Sequence, residues 1–332
     1  MKPREFVVAH RRVVRNGLLL LSIPAVLWLV VRTVAAMGAG WSQVGQTVLG
    51  LELLWLPVLL LLWWAGHCAR AGQVSACLPG LSVGRALSLC FAGSAVANSL
   101  PLGGALSYGV SAAMIRSWGF DARAMTSYFT LNQVSTVLLR VGFGTVSLTG
   151  FLLYGPGAEI ASAPVMISAG AGVVLLVLCG ILARGRVSRR VGERAGAVVA
   201  ALREDMGKAL RRSGIQLVLS GLGYMVLLGV LLDTCLLGLG VHQPFLLILA
   251  VVGIERMITT VPLTPGGAGA AELTIFSCLT AAAVAPTSAL AGALLYRFFT
   301  FLLEIPVGAA VIVGWRLRHQ ATPAFSAPAS RS

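Results

Sequence analysis

The chain has 332 residues, of which 57% are hydrophobic and only 11% are charged, and its formal net charge is +14. Soluble domains carry roughly 25% charged residues, so the composition excludes a soluble enzyme and indicates a polytopic membrane protein. The basic residues flank apolar runs and are not interleaved with aromatic residues, which argues against nucleic-acid binding. The six cysteines and four histidines lack metal-ligand spacing, so we expect neither a metal nor another cofactor.

Apolar runs follow one another along the chain, and each crossing of a bilayer needs about 20 apolar residues. Most of the 25 Lys and Arg residues lie between these runs or in the two tails. Cytoplasmic loops are rich in Lys and Arg, so we predict a multi-pass protein of the cell membrane with both termini in the cytoplasm. A cleaved signal peptide is the alternative interpretation of the first run. The runs are 17–35, 48–66, 87–115, 125–153, 164–183, 214–240, 244–262 and 268–315.

The charge pattern divides the chain into one membrane domain with basic cytoplasmic flanks. We predict a cytoplasmic basic tail at 1–16, a single transmembrane domain at 17–315 and a disordered cytoplasmic tail at 316–332. The segment 184–213 has apolar residues at helical spacing among arginines, which predicts a basic amphipathic helix on the cytoplasmic leaflet. Such a helix is either an anchor or a collector of anionic lipids.

Two of the runs do not fit a single crossing. The run 87–115 begins and ends beside basic residues, and its middle is the Pro/Gly break NSLPLGGA at 98–105. The stretch 244–284 must begin and end on the side of the membrane away from the cytoplasm, because the last helix has to bring Arg316 and Arg318 to the cytoplasm. Its middle contains TVPLTPGGAG at 260–269. We therefore predict an all-α integral membrane fold, a polytopic helical bundle with two oppositely oriented re-entrant hairpins that form an inverted repeat. Two kinked helices and one miscounted span are the alternative.

The hairpin tips are candidate substrate-binding elements. Irregular backbone at membrane depth is tolerated where protein or a water-filled cavity satisfies its polar groups. A helix that starts at a Gly-rich turn presents free N–H donors, and these favour an anion such as a lipid phosphate. The alternative is that the glycines only allow the two tips to pack closely. The candidates are Asn98, Pro101, Gly103 and Gly104 in the first tip and Pro265, Gly266, Gly267 and Gly269 in the second.

Charged residues inside the apolar runs complete the candidate set. An Arg or Asp at the centre of a membrane helix costs about 2.5–3.5 kcal/mol on insertion scales, so such residues need a partner or a function. We expect Arg140 and Arg297 to contact a phosphate, with Arg256 beside them, while Glu255 or Glu272 relays protons. The same two carboxylates are the candidate partners of Arg297. The alternative is that these residues are buried ion pairs that hold the bundle together.

The motifs resemble those of the transmembrane flippase-like domain of lysylphosphatidylglycerol synthases, which also occurs as stand-alone membrane proteins. PGGAGAAE at 265–272 is similar to the family's P-G-G-x-G-x-x-E, and 98–104 is similar to its N-x-x-P-x-x-G turn. The chain departs from the family in having Ala105 after the first turn and Asn132-Gln133 where a Glu-Arg pair is usual. This resemblance implies lipid translocation. No aminoacyl-transfer domain follows residue 320, so we do not expect lipid synthesis.

Three classes of function remain at this point. The first is translocation or binding of an anionic lipid, or of a polyprenyl-phosphate-linked lipid, between leaflets. The second is a non-transporting membrane scaffold or partner subunit. The third, a membrane-embedded lipid-modifying enzyme, lacks a recognisable nucleophile and base, so we expect no enzymatic activity. The expected partners are membrane lipids, with a homo-oligomer or a partner membrane protein as further possibilities.

Overall fold

The computed structural model describes residues 41–100, 103–154, 193–260 and 264–320, and also Arg32. All regular secondary structure in these ranges is helical. The predicted runs 17–35 and 164–183 therefore lie outside the described residues, except for Arg32. The helices are α1 (Trp41–Leu49), α2 (Trp55–Cys77), α3 (Val83–Ser99), α4 (Gly103–Ser117), α5 (Ala122–Tyr154), α6 (Glu193–Gly238), α7 (Phe245–Ile258), α8 (Ala270–Ala281), α9 (Pro286–Arg297) and α10 (Glu304–Gln320).

Two stretches of the described chain are long and apolar enough to cross a membrane. Leu210–Gly238 is the second part of α6, and Pro286–Arg318 covers α9, a π-helical turn at Phe298–Leu302 and most of α10. The last helix continues to Gln320, five residues beyond the predicted domain boundary at 315. The described part of the predicted amphipathic segment 184–213 is also helical, and it runs into the apolar part of α6 through a kink at Ser213.

The core is built by three extensive helix pairs, α2 with α6, α3 with α10 and α5 with α7. Small residues allow the close approaches. A Cβ atom on Gly253 of α7 would lie 2.8 Å from the Cα atom of Gly144 on α5. Large side chains such as Leu232, Ile248 and Tyr296 fill the central cluster and are fully buried. This packing of small residues between helices is typical of membrane bundles.

Helices α3 and α4 form one helical hairpin, and α7 and α8 form a second. Their four arms have 17, 15, 14 and 12 residues, or roughly 18 to 26 Å at 1.5 Å per residue. Each arm is therefore shorter than the roughly 30 Å hydrocarbon core of a bilayer. Both Pro/Gly breaks lie between the arms, as predicted. The opposite orientation of the hairpins in the membrane and the inverted repeat remain predictions.

Gly308 of α10 is a position where an added methyl group is expected to be costly. A Cβ atom there would collide with the backbone oxygen of Phe91 on α3, which cannot rotate away. We expect Gly308→Ala to lower the free energy of unfolding by about 1–3 kcal/mol, the usual cost of overpacking. Denaturant unfolding of the detergent-solubilised protein measures this loss.

Gly314→Ala on the same helix is the matched control, because no described atom outside its own helix backbone lies within 4 Å of a Cβ atom there. Alanine is favoured over glycine in a helix by about 1 kcal/mol, so this variant should be unchanged or more stable. Equal effects of the two substitutions would contradict the close packing of α3 and α10.

Candidate functional site

The tips of the two hairpins touch each other through Asn98 and Gly266. A Cβ atom on Gly266 would lie 2.5 Å from the Asn98 Oδ1 atom, so the second tip passes directly over this side chain. The Asn98 Nδ2 atom donates to the backbone oxygen of Phe301 and to Glu304 Oε2, both at 3.2 Å. Asn98 therefore joins the end of α3, the second tip and the start of α10.

In the first tip, Gly103 and Gly104 begin α4, while Pro101 lies outside the described residues. The Gly103 N–H donates to the backbone oxygen of Leu100 at 2.9 Å. A Cβ atom on Gly103 would collide with the backbone oxygen of Val96, so the turn back onto α3 requires glycine. This supports the packing interpretation for Gly103. The Gly104 oxygen accepts a 2.7 Å hydrogen bond from Ser107.

The second tip is a glycine turn that leads into α8. Gly266, Gly267 and Gly269 have φ values of 53°, 71° and 86°, in the region that favours glycine. Pro265 starts a single 3-10 turn at Pro265–Gly267, and its oxygen accepts a 3.0 Å hydrogen bond from the N–H of Ala268. Gly267 lies against Thr259, where a Cβ atom would be 2.8 Å from Cγ2.

Glu272 and Arg297 clamp this turn. Glu272 Oε2 accepts a 2.7 Å hydrogen bond from the Gly269 N–H, and Oε1 forms a 2.8 Å ion pair with Arg297 Nε. The Arg297 Nη2 atom donates to the Gly266 oxygen at 2.9 Å, and the guanidinium lies 4.8 Å from the centre of the Phe301 ring. Glu272 is thus the partner of Arg297, one of the two predicted candidates. Both side chains are used to hold the tip.

Arg256 and Glu255 form a second buried ion pair near the end of α7. Glu255 is fully buried and accepts a hydrogen bond from Arg256 Nε through Oε2. The Arg256 Nη2 atom also donates to the Tyr296 hydroxyl at 3.2 Å. The other carboxylate oxygen, Oε1 of Glu255, is buried and has no hydrogen-bond partner among the described residues. Arg256 is therefore committed to the bundle, whereas Glu255 keeps one acceptor available.

Arg140 and Arg70 are different, because each has a buried N–H without a partner in the described chain. These atoms are Nε of Arg140 on α5 and Nη1 of Arg70 on α2. Arg140 lies within electrostatic range of two other guanidinium groups, those of Arg70 and Arg256, and of the Glu255 carboxylate. The Arg70 guanidinium also lies 5.5 Å from the Tyr224 ring centre, a cation–π distance. Arg140 therefore has two positive groups and one negative group around it.

Arg70 lies between the predicted runs 48–66 and 87–115, so the charge pattern assigns it to a cytoplasmic loop and not to the candidate site. The structure places Arg70 within α2, well before that helix ends at Cys77. The useful signal was the continuation of apolar and small residues beyond Arg70 to Leu78. That continuation predicts a longer helix than the run 48–66.

Sequence reasoning also missed the buried pair of His67 and Glu304. His67 Nε2 lies 3.3 Å from Glu304 Oε1, and both side chains are less than 10% exposed. The same carboxylate accepts the hydrogen bond from Asn98. The pair therefore links α2 and α10 to the first tip. No local motif could indicate it, because His67 and Glu304 lie far apart in the sequence.

The first half also shows how the departures from the resembling family are accommodated. Gln133 Oε1 accepts a 2.6 Å hydrogen bond from the Tyr108 hydroxyl of α4, while the Oδ1 atom of Asn132 is buried without a partner in the described chain. Neutral groups thus connect the first hairpin to α5. The second hairpin, in contrast, is held to α9 by the ion pair of Glu272 and Arg297.

Of three comparisons with known proteins, one finds a match. A search of the curated proteins and a search of the solved structures each find no match to the chain. The model of the family described as "Lysylphosphatidylglycerol synthase TM region" matches residues 17–308. This match covers most of the 332 residues and includes both hairpins. The chain therefore belongs to the family of lysylphosphatidylglycerol synthase transmembrane regions.

Proposed function

We propose that the protein binds an anionic lipid inside the membrane and moves its headgroup between the leaflets. The observation that carries this proposal is that Arg70 and Arg140 each have one buried N–H group without a partner among the described residues. A polypeptide chain tolerates such groups when a ligand completes them, because an unsatisfied buried donor costs about 1–3 kcal/mol, and more when it is charged.

A phosphate group suits this pair of arginines. Guanidinium groups bind phosphate oxygens through charge-assisted hydrogen bonds, which are roughly twice as strong as neutral ones. The nearby carboxylate of Glu255 is already bonded to Arg256, so it does not fully neutralise Arg140. The proposed cargo is a phospholipid with net negative charge or a polyprenyl-phosphate-linked lipid.

The hairpins supply the proposed path. In this proposal the two hairpins enter the membrane from opposite sides and meet at Asn98 and Gly266, so that none of their four arms needs to cross the membrane. Inverted repeats with broken helices that meet near the midplane are typical of alternating-access transporters. The Glu272–Arg297 clamp keeps the second tip closed. Glu255 is the candidate proton acceptor, since both oxygens of Glu272 accept hydrogen bonds, whereas Oε1 of Glu255 accepts none from the part of the chain that the structure describes.

A non-transporting scaffold or partner subunit is the second candidate function. The observation that favours it is the neutral link between Gln133 and Tyr108, at a place where the family usually has charged residues. A scaffold has no need to release a lipid from the arginines. It would therefore keep a bound lipid permanently or bind none.

Two measurements on the same purified protein separate these functions. Mass spectrometry of copurified lipids should find anionic lipids enriched relative to the host membrane. Proteoliposomes with fluorescent anionic headgroups should then show faster movement between leaflets than protein-free vesicles. Arg116→Gln, at an exposed position in the last turn of α4, is the control and should leave both results unchanged. Enrichment of anionic lipids without headgroup movement would favour the scaffold. If there were neither enrichment nor headgroup movement, the lipid proposal would be wrong.

A further inference from the structure

A cavity lies away from the hairpin tips, at the junction of α2, α5 and the basic part of α6. Its volume is about 360 Å³. The floor is apolar and includes Leu78, just after the end of α2, and Leu131 of α5. The rim carries the polar residues Asp121, Arg123, Lys208 and Arg212. The cavity thus combines an apolar surface with a charged opening, as expected for one end of an amphipathic molecule.

The charges on the rim favour an anion. Three of the four charged residues are basic. The single carboxylate, Asp121, is used as a helix cap, because its Oδ1 accepts a 2.7 Å hydrogen bond from the N–H of Ala124. Lys208 pairs with Glu204 on the same helix, but the two side chains are 68% and 64% exposed. A pair so accessible to water holds its partners weakly. Lys208 can therefore turn to a ligand.

The position of the cavity indicates a lipid and not a soluble anion. The apolar stretch Leu210–Gly238 starts between Lys208 and Arg212, so the rim lies where the basic part of α6 becomes a membrane-crossing helix. Lipid headgroups occupy this level of the bilayer, and basic pockets between membrane helices at the cytoplasmic surface bind anionic headgroups. The neighbouring apolar floor provides contact for the glycerol and upper acyl chain, which a free phosphate ion lacks.

We propose that this cavity binds the phosphate-bearing headgroup of an anionic membrane lipid, at a site separate from Arg70 and Arg140. Lys208 and Arg212 contact the phosphate, while Leu78 and Leu131 contact the lipid body. Binding there holds the kink at Ser213 against the start of α5. This site does not depend on the proposed translocation, since none of its residues belongs to either hairpin tip.

Native mass spectrometry of the detergent-solubilised protein, titrated with phosphatidylglycerol or phosphatidylcholine, tests this inference. Phosphatidylglycerol should bind more tightly than phosphatidylcholine. Arg212→Glu and Lys208→Glu should each weaken phosphatidylglycerol binding about fivefold or more, from the usual contribution of one basic residue near a membrane surface. Arg211→Glu is the matched control, because Arg211 is exposed, carries the same charge and does not line the cavity.

The titration is repeated in an Arg70→Gln/Arg140→Gln background, in which the proposed central site is removed. A phosphatidylglycerol site that survives there and is lost on adding Arg212→Glu supports the proposal. Equal weakening by Arg211→Glu and Arg212→Glu would overturn it, because it would indicate a diffuse charge effect. Displacement of the lipid by millimolar inorganic phosphate would also overturn it. The conservative variant Arg212→Gln gives the same comparison if a charge reversal prevents folding.

Discussion

Glu272→Gln and Arg297→Met are each expected to lower the free energy of unfolding by about 3–5 kcal/mol, the usual effect of removing one partner of a buried ion pair. Each substitution leaves the opposite charge buried, because both side chains are less than 10% exposed. Glu272→Gln also weakens the cap on the Gly269 N–H, and Arg297→Met leaves the Gly266 oxygen without its donor. Denaturant unfolding of the solubilised protein gives the loss.

The double variant Glu272→Gln/Arg297→Met makes this test specific. It removes both charges, so its loss should be clearly smaller than the sum of the two single losses, with a coupling energy of about 0.5–3 kcal/mol. Glu204→Gln is the control, since its ion pair with Lys208 is exposed to water. Exposed pairs contribute only about 0–1 kcal/mol. Additive single losses, or losses as small as in the control, would mean that the clamp does not hold the second tip.

Unlike the variants of Glu272 and Arg297, Arg140→Gln and Arg70→Gln should each weaken lipid binding and headgroup movement while the protein keeps its stability. Each removes a charge-assisted contact to the lipid phosphate worth about 1.5–3 kcal/mol, so lipid affinity should fall roughly 10- to 150-fold per substitution. The free energy of unfolding of the lipid-free protein should stay the same or rise, because one nitrogen of each guanidinium is buried without a hydrogen-bond partner among the described residues. Native mass spectrometry and headgroup movement in proteoliposomes measure the first effect.

Arg256→Gln is the control for this second prediction, because Arg256 is a buried arginine of the same bundle whose Nε and Nη2 atoms both have partners. It loses the ion pair with Glu255 and the hydrogen bond to Tyr296, so its stability should fall. If Arg140→Gln behaved like Arg256→Gln, Arg140 would be a structural residue. If it were stable and kept wild-type lipid affinity and headgroup movement, the proposed phosphate site would be wrong.

Several features of the candidate site are predictable from short stretches of sequence. The glycines at 266, 267 and 269 indicate a turn because positive φ values are accessible to glycine without steric cost, and all three have such values. Glu272 in the first turn of the following helix is a suitable cap, and it is the partner of Arg297. The two Pro/Gly breaks likewise divide helices where the pattern predicts. These signals are local, since each depends on backbone sterics or helix-end electrostatics within a few residues.

Other features depend on which distant helices lie side by side. Arg140, Arg256 and Arg297 all lie in apolar runs and cannot be ranked from their sequence positions alone. Helix packing gives Arg256 and Arg297 carboxylate partners, and it leaves an Arg140 N–H without a hydrogen-bond partner within the described ranges.

The central arrangement thus has two physical origins. The membrane class and the turns follow from composition and local backbone preference, which act over one helix or one turn. The excess of positive charge around Arg140, and the link from His67 through Glu304 to Asn98, follow from side chains more than 50 residues apart. Helix packing sets the distances in space between these side chains. Electrostatic energies in a low-dielectric interior change steeply over a few ångströms. No periodicity along the chain encodes those distances.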